Sequence, residues 1–97
     1  MNYEFHPAAE AEFLESVGFY DSRVRGLGAA FIAEFERTIE LIAQSPGQRP
    51  LECAPDIRRA PMHRFPFSLL YRERRAVIQI LAVAHDRRRP QYWLGRV

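Results

Sequence analysis

The sequence predicts an α+β fold of two layers, in which a helical hairpin packs on a mainly antiparallel sheet in the order β-α-α-β-β-β. Two apolar runs, Phe65–Tyr71 and Ala76–Ala84, are rich in β-branched and aromatic residues. A charged turn, Arg72–Arg75, separates them, which predicts a β-hairpin. Upstream, two stretches carry apolar residues at helical spacing on either side of a short loop. The apolar faces of two such helices need a sheet to cover them.

The first strand and the two helices follow from local patterns. Tyr3–His6 alternates and predicts a strand, and Pro7–Tyr20 predicts a helix whose first residue, proline, loses no hydrogen bond there. Asp21–Gly28 predicts a loop, and Leu27–Gln44 predicts a second helix that ends before a proline. The expected core stripes are Ala9, Phe13, Val17 and Tyr20 on one helix and Phe31, Phe35, Ile39 and Ile42 on the other. The glutamates of both helices are expected on the solvent side.

Two segments before the hairpin are less regular. Gln48–Asp56 contains two prolines and is expected to be irregular. Ile57–Arg64 predicts a weaker strand, and Pro61 places it at a sheet edge or at a bulge because proline has no N–H for a central ladder. The strong strands are then Phe67–Arg72 and Ala76–Ala84.

Length and composition predict one domain spanning residues 1–97. Hydrophobic residues make up 47% and charged residues 27%, which is typical of a globular protein, and no apolar run approaches the ~20 residues that span a bilayer. The first residues lack the pattern of a secretion signal, so we expect a cytoplasmic protein that does not contact the membrane. A single cysteine, Cys53, and three scattered histidines give no reason to expect a metal or another cofactor.

The charge is distributed unevenly along the chain. All 14 basic residues are arginine, and ten of them lie at or after Arg58, whereas eight of the nine glutamates precede Asp56. The planar guanidinium group suits phosphates and carboxylates, so a nucleic acid or an acidic protein segment is the expected partner. A genome rich in G and C explains the absence of lysine but not this asymmetry. Several of the arginines are expected to share one surface at the rim of the sheet.

The last strand leads into a short tail that contains His85, the run Arg87–Arg89, Tyr92 and Trp93. Such a basic and aromatic tail is the most promising place for function. Each residue also has a structural interpretation: a histidine that ends a buried strand is more often hydrogen-bonded than catalytic. Trp93 is expected to pack on the helices as part of the core.

Four pieces of sequence in this order, GLGAAF, FPFSLLY, ILAVAH and RRRPQYWLGR, resemble the RelE/ParE superfamily of bacterial toxins. These are the toxic halves of type II toxin–antitoxin modules, also called plasmid stabilisation proteins. The resemblance covers nearly the whole chain. It implies a small cytoplasmic protein that a cognate antitoxin holds inactive in an oligomeric complex.

The superfamily divides by target. RelE-like members are endonucleases that cut mRNA in the ribosomal A site without a metal, using a base, an acid and cations around the scissile phosphate. ParE-like members inhibit DNA gyrase and are not nucleases. Whether this chain is an enzyme therefore depends on the subgroup to which its site residues belong.

The residues of the nuclease pattern are only partly present. By resemblance, Tyr92 matches the tyrosine and Arg59 one of two upstream basic positions, but Pro61 occupies the other. Ser68 stands where the central arginine is expected, and Asp86 stands where the terminal one is expected, next to Arg87 and Arg88.

The candidate catalytic residues are His85, Arg88, Tyr92 and Arg59, with His85 as a conceivable general base. The incomplete pattern favours a ParE-like gyrase inhibitor. The alternatives are a RelE-like endoribonuclease that acts on the ribosome and mRNA, and a degenerate relative that only binds its antitoxin.

Overall fold

The computed structural model describes residues 2–97 as two helices packed on one face of a five-stranded sheet. The elements are β1 (Asn2–Phe5), α1 (Pro7–Arg23), α2 (Leu27–Gln44), β2 (Leu51–Cys53), β3 (Ile57–Pro61), β4 (Phe67–Arg74), β5 (Val77–His85) and a short 3₁₀ helix (Leu94–Arg96). The strand order is β1-β5-β4-β3-β2. β1 runs parallel to β5, and every other pair is antiparallel. The predicted α+β two-layer fold is confirmed.

The main core lies between the helices and the sheet. Alternate side chains of β4, namely Phe67, Leu69 and Tyr71, face the helices and are buried there. The helical stripes predicted from the sequence meet them: five members are buried (Ala9, Phe31, Phe35, Ile39 and Ile42), and three pack against the cluster partly buried (Phe13, Val17 and Tyr20).

The two helices are joined more tightly than predicted. α1 continues past Tyr20 to Arg23. Gly18 lies on the side of the helix that faces solvent, and Tyr20 holds the last turns by packing against Phe31 and Phe65. The carboxylate of Asp21 then accepts hydrogen bonds from the backbone N–H groups of Gly26 at 3.0 Å and Gly28 at 3.3 Å. These bonds satisfy amides at the start of α2 that have no partner within the helix.

The sheet contains one strand that the sequence pattern did not reveal. β2 lies within the segment expected to be irregular, and it places β3 inside the sheet rather than at its edge. β2 pairs only with Ile57 and Arg58, with an irregular register. Pro61 therefore has no partner in β2, and the N–H that proline lacks costs no hydrogen bond to that strand.

The hairpin between β4 and β5 turns through two residues, Arg75 and Ala76. Both have positive φ angles, 55° and 63°, as a type I′ turn requires. The predicted turn at Arg72–Arg75 is thus displaced: β4 extends to Arg74, and Ala76 belongs to the turn and not to β5.

The opposite face of the sheet, called here the open face, carries a second apolar cluster. A register shift in the β4–β5 pairing leaves Leu81 as an extra residue on β5 and places it in this cluster with its neighbour Ala82. Trp93, which is only 2% exposed, covers them together with Leu70. Trp93 is a core residue as expected, but it packs on the open face and not on the helices.

Candidate functional site: the C-terminal tail and the open-face cleft

The chain leaves β5 through an ordered turn. The backbone N–H of Arg87 donates to Nδ1 of His85 at 3.0 Å, and the N–H of Arg88 donates to the carbonyl of His85 at 2.9 Å. The N–H of Asp86 donates to the carbonyl of Pro66 at 2.8 Å, which ties this turn to the β3–β4 loop. The three consecutive arginines therefore begin from a fixed backbone.

The tail is held in place by one carboxylate, that of Glu12 on α1. Its Oε2 accepts hydrogen bonds from the hydroxyl of Tyr92 at 2.7 Å and from Nη2 of Arg96 at 2.9 Å. Its Oε1 accepts from Nη1 of Arg96 at 2.9 Å and from the backbone N–H of Val83 at 3.0 Å. Arg96 and Glu12 thus form a bidentate ion pair, the stronger geometry for such a pair.

These contacts also close an open sheet edge. β1 pairs with β5 only as far as Ile80, so the second half of β5 has no neighbouring strand on that side. Glu12 takes up the free N–H of Val83, and Nη1 of Arg96 donates to the carbonyl of Leu81 at 3.0 Å. Side chains therefore occupy part of the β5 edge that another strand would need.

The cluster shifts the acidities of its members. Burial on its own raises the pKa of Glu12, but the hydrogen bonds from Arg96, Tyr92 and Val83 together hold it below the ordinary value. Burial, together with the hydrogen bond to Glu12, raises the pKa of Tyr92 well above that of free tyrosine. At neutral pH, Glu12 is a carboxylate and Tyr92 a phenol whose O–H donates a hydrogen bond to Glu12.

An open-face cleft of about 200 Å³ lies beside this cluster. Oδ1 of Asp86 accepts a hydrogen bond from the hydroxyl of Ser68 at 3.0 Å and forms an ion pair with Nη2 of Arg59 at 3.2 Å. The two positions where the resemblance expects arginines thus carry a serine and an aspartate in mutual contact. The aspartate also engages the arginine that the sequence does retain.

The four candidate residues, Arg59, His85, Arg88 and Tyr92, all line the open-face cleft. Within this set, the guanidinium of Arg88 lies over the ring of Tyr92 at 3.9 Å from its centroid. The ring of His85 also packs edge-on against the ring of Phe67, a residue of the helical face, with the two centroids 5.1 Å apart. His85 and Arg88 also border a second groove of about 340 Å³ between α1 and β5.

Two glutamates expected on the solvent side are instead engaged. Oε2 of Glu34, which is 5% exposed, accepts a hydrogen bond from the backbone N–H of His63 at 3.2 Å. Glu12 is the centre of the tail cluster. The only sign in the sequence that Glu12 is engaged was its position next to the buried stripe of the helix. Its partners Tyr92 and Arg96 lie 80 and 84 residues away, so no local pattern reveals them.

The arginines divide between the two ends of the sheet: several share one surface, as expected, but the hairpin turn does not contribute to it. The arginine end of the sheet, where β5 exits, carries Arg59, Arg64, Arg87, Arg88 and Arg89. The hairpin end carries Arg72, Arg74 and Arg75. β4 pairs Phe67 with His85 at one end and Arg74 with Val77 at the other, so the two groups lie about 23 Å apart along the strand.

Other kinds of site are less well supported. Within residues 2–97, no three His, Cys, Asp or Glu side chains are placed to hold a metal ion. Over the same residues, neither helix combines the length and apolar character needed to cross a bilayer.

No protein-family model matches the chain, and no curated protein matches it either. A solved structure titled "Chromosomal ParDE TA system from P. aeruginosa" contains a chain of similar fold. The TM-score is 0.73 at 19% sequence identity, over 88% of this chain and 95% of that chain. The likeness establishes the fold.

Proposed function

We propose that this protein is the toxin of a type II toxin–antitoxin module, acts on DNA gyrase in the cytoplasm, and is neutralised by a cognate antitoxin. The superfamily resemblance of the sequence and the shared fold support the module assignment. The choice of gyrase over mRNA depends on the chemistry of the open-face cleft.

The contact between Asp86, Ser68 and Arg59 carries that choice. Cleavage of RNA by its own 2′-hydroxyl builds negative charge on the phosphate, and cations aimed at that charge supply orders of magnitude in rate. Here the cleft presents a carboxylate, whose Oδ1 contacts both the serine hydroxyl and the guanidinium. Arg88 and Arg89 line the same cleft, but the carboxylate of Asp86 opposes a phosphate beside Ser68, where the nuclease pattern expects an arginine.

The state of Tyr92 supports the same conclusion. Its hydroxyl donates to Glu12, and its pKa is raised well above that of free tyrosine. Its proton is therefore engaged and weakly acidic, which disfavours a role in proton transfer at neutral pH. His85 lines the same cleft as Ser68 and Asp86, but its ring packs on Phe67 and its Nδ1 accepts a hydrogen bond from the backbone N–H of Arg87, so that nitrogen is not free to act as a base.

Induced expression in bacterial cells tests the proposal. Inhibition of gyrase is expected to produce filamentous cells and a DNA-damage response, and co-expression of the antitoxin encoded beside this chain should prevent both. Rapid arrest of translation with cleavage in the ribosomal A site would instead establish the nuclease. Normal growth at high expression of folded protein would identify a non-toxic relative.

His85→Ala gives a second, residue-level test. In a gyrase inhibitor this histidine carries no chemistry, so toxicity should stay within about tenfold of wild type, whereas general acid–base groups contribute ~10²–10⁴ in rate. Loss of toxicity by more than about a hundredfold, with the fold retained, would assign His85 a catalytic role and favour the endoribonuclease.

A further inference from the structure

We propose that the arginine end of the sheet binds the phosphate backbone of duplex DNA, independently of sequence. Its arginines come from three different parts of the chain: β3, the β3–β4 loop and the turn after β5. The ion pair between Arg59 and Asp86 and the hydrogen bond from Asp86 to Pro66 fix these parts next to one another. The result is a basic surface on an ordered backbone.

The arginines at this end are available to a ligand. Arg64, Arg87, Arg88 and Arg89 are exposed, and none forms an ion pair within the described part of the chain. Arg88 is also preorganised, because its guanidinium carbon lies over the ring of Tyr92 at 3.9 Å from the centroid. A planar group held in this way keeps its N–H edge free to bind phosphate oxygens.

The nearby carboxylates are few, and two of them are engaged. Asp86 already pairs with Arg59, and Glu12, which lines the second groove with Arg88, pairs with Arg96. Glu52 borders the open-face cleft, and Glu15 borders the second groove on the other side of Arg88. Four exposed arginines without an acidic partner therefore remain between two flanking carboxylates.

The charge of the whole molecule orients DNA towards this face. The two helices carry seven acidic residues and two arginines. From Asp56 onward, through β3, β4, β5 and the tail, the chain carries ten arginines and three acidic residues. The helical layer repels a polyanion and the sheet layer attracts it, so electrostatic steering favours approach to the open face and its arginine end.

The aromatic residues of the tail favour duplex over single-stranded nucleic acid. Proteins that hold single strands stack bases on exposed aromatic rings. Here Trp93 is 2% exposed, and Tyr92 is covered by Arg88 and bonded to Glu12, so neither ring offers a free platform. A duplex keeps its bases stacked and presents a dense row of phosphates, which is what exposed arginines can bind.

An acidic peptide fits this surface less well. Peptide binding usually depends on a few apolar anchors in pockets, and charge pairs mainly add specificity and association rate. The exposed residues at 86–91 are polar, charged or proline. The second groove does offer apolar side chains, but among residues 2–97 Arg88 is the one arginine that borders it, so a peptide anchored there would leave Arg64, Arg87 and Arg89 unused. This inference goes beyond the proposed function, because DNA binding is measured without gyrase.

The test is fluorescence anisotropy of a short labelled DNA duplex titrated with the purified chain at rising NaCl concentrations. Three to four phosphate contacts predict a slope of log K against log salt of about −3 to −4. The variant Arg87→Ala/Arg89→Ala, which keeps Arg88 on Tyr92, should flatten that slope by about 2. The matched control is Arg72→Ala/Arg74→Ala at the hairpin end, which removes the same charge and should change the slope by less than half as much.

Each other outcome overturns the inference. It fails if the duplex does not bind at low salt, or if both double variants flatten the slope equally. It also fails if a single strand of the same sequence binds more tightly, or if polyglutamate competes as well as DNA, which would indicate an acidic protein partner.

Circular dichroism and urea unfolding confirm that both variants are folded. Supercoiling by gyrase is assayed separately, so that DNA binding without inhibition counts against the proposed function alone, and inhibition without DNA binding counts against this inference alone.

Discussion

The hydroxyl of Tyr92 donates a hydrogen bond of 2.7 Å to the carboxylate of Glu12, which joins the C-terminal tail to the first helix across 80 residues. Arg96 binds the same carboxylate through two nitrogens. Both side chains of this ion pair are largely buried, 17% exposed for Arg96 and 16% for Glu12. The tail is therefore part of the folded domain, and Glu12 is the residue that holds it there.

Glu12→Gln should lower the free energy of unfolding by about 2 kcal/mol, because the amide leaves Arg96 without its carboxylate in a largely buried position. Urea unfolding measures this change. Glu15→Gln on the same helix is the matched control, since Glu15 is exposed and should change stability by no more than about 0.5 kcal/mol. Equal effects of the two substitutions would contradict the role assigned to Glu12.

The carboxylate of Glu12 should also determine how the protein loses stability as the pH falls. The pKa of Glu12 is lower in the folded protein than its ordinary value of 4.5, so the unfolded chain takes up the proton first as the pH falls. The stabilisation by Glu12 is complete at a pH above its ordinary pKa and is lost as the pH falls towards its lowered pKa in the folded protein. Melting temperatures of wild type and Glu12→Gln should therefore converge between about pH 6 and about pH 3. A gap that stays constant over this range would contradict the assignment.

Two glycines in the helical hairpin should respond in opposite directions to alanine. A Cβ at Gly28 would lie 2.8 Å from the backbone oxygen of Val17 and 2.9 Å from Cβ of Asp21, so the helices would have to separate. Gly28→Ala should cost about 2 kcal/mol of stability. Gly18→Ala meets nothing within 4 Å and should stabilise α1 by up to about 1 kcal/mol. Urea unfolding of both variants checks the pair, and a neutral Gly28→Ala would show that the helices do not approach as closely as described.

The β4–β5 turn is not occupied by the residues that suit its geometry. Arg75 and Ala76 both have positive φ angles, a region that costs residues with a Cβ about 1 kcal/mol or more. Replacement by Asn-Gly, the preferred pair of a type I′ turn, should raise the free energy of unfolding by about 1 kcal/mol and the melting temperature by roughly 4–8 °C. Thermal unfolding measures the shift, and a lower melting temperature would mean that the turn has a different conformation.

Local patterns were enough to predict most of the fold. The helical stripes ending at Tyr20 and Ile42 and the apolar runs of β4 and β5 each depend on neighbours in the sequence, which is why their periodicity is visible. β2 was missed because it has only three residues, between prolines, and exists only through its pairing with β3. The hairpin turn was predicted at Arg72–Arg75 and lies at Arg75-Ala76, because nothing in these two residues indicates a type I′ turn.

The candidate site was less predictable, because its contacts join distant parts of the chain. The sequence identified Asp86 and Ser68 as departures from the nuclease pattern, but their hydrogen bond depends on the pairing of β4 with β5. The role of Glu12 could not be predicted, since helical periodicity shows on which face of α1 a residue lies but not which distant residue contacts it. Trp93 was correctly expected in the core, but the sheet has two apolar faces and composition does not choose between them.

The most direct test of the central claim is supercoiling of relaxed plasmid DNA by purified DNA gyrase in the presence of the purified chain. Inhibition of gyrase is predicted, with supercoiling restored by an equimolar amount of the cognate antitoxin. The same preparation should leave mRNA intact in a translation reaction with purified ribosomes. Full supercoiling at a large excess of folded chain, together with cleavage of mRNA in the ribosomal A site, would contradict the assignment.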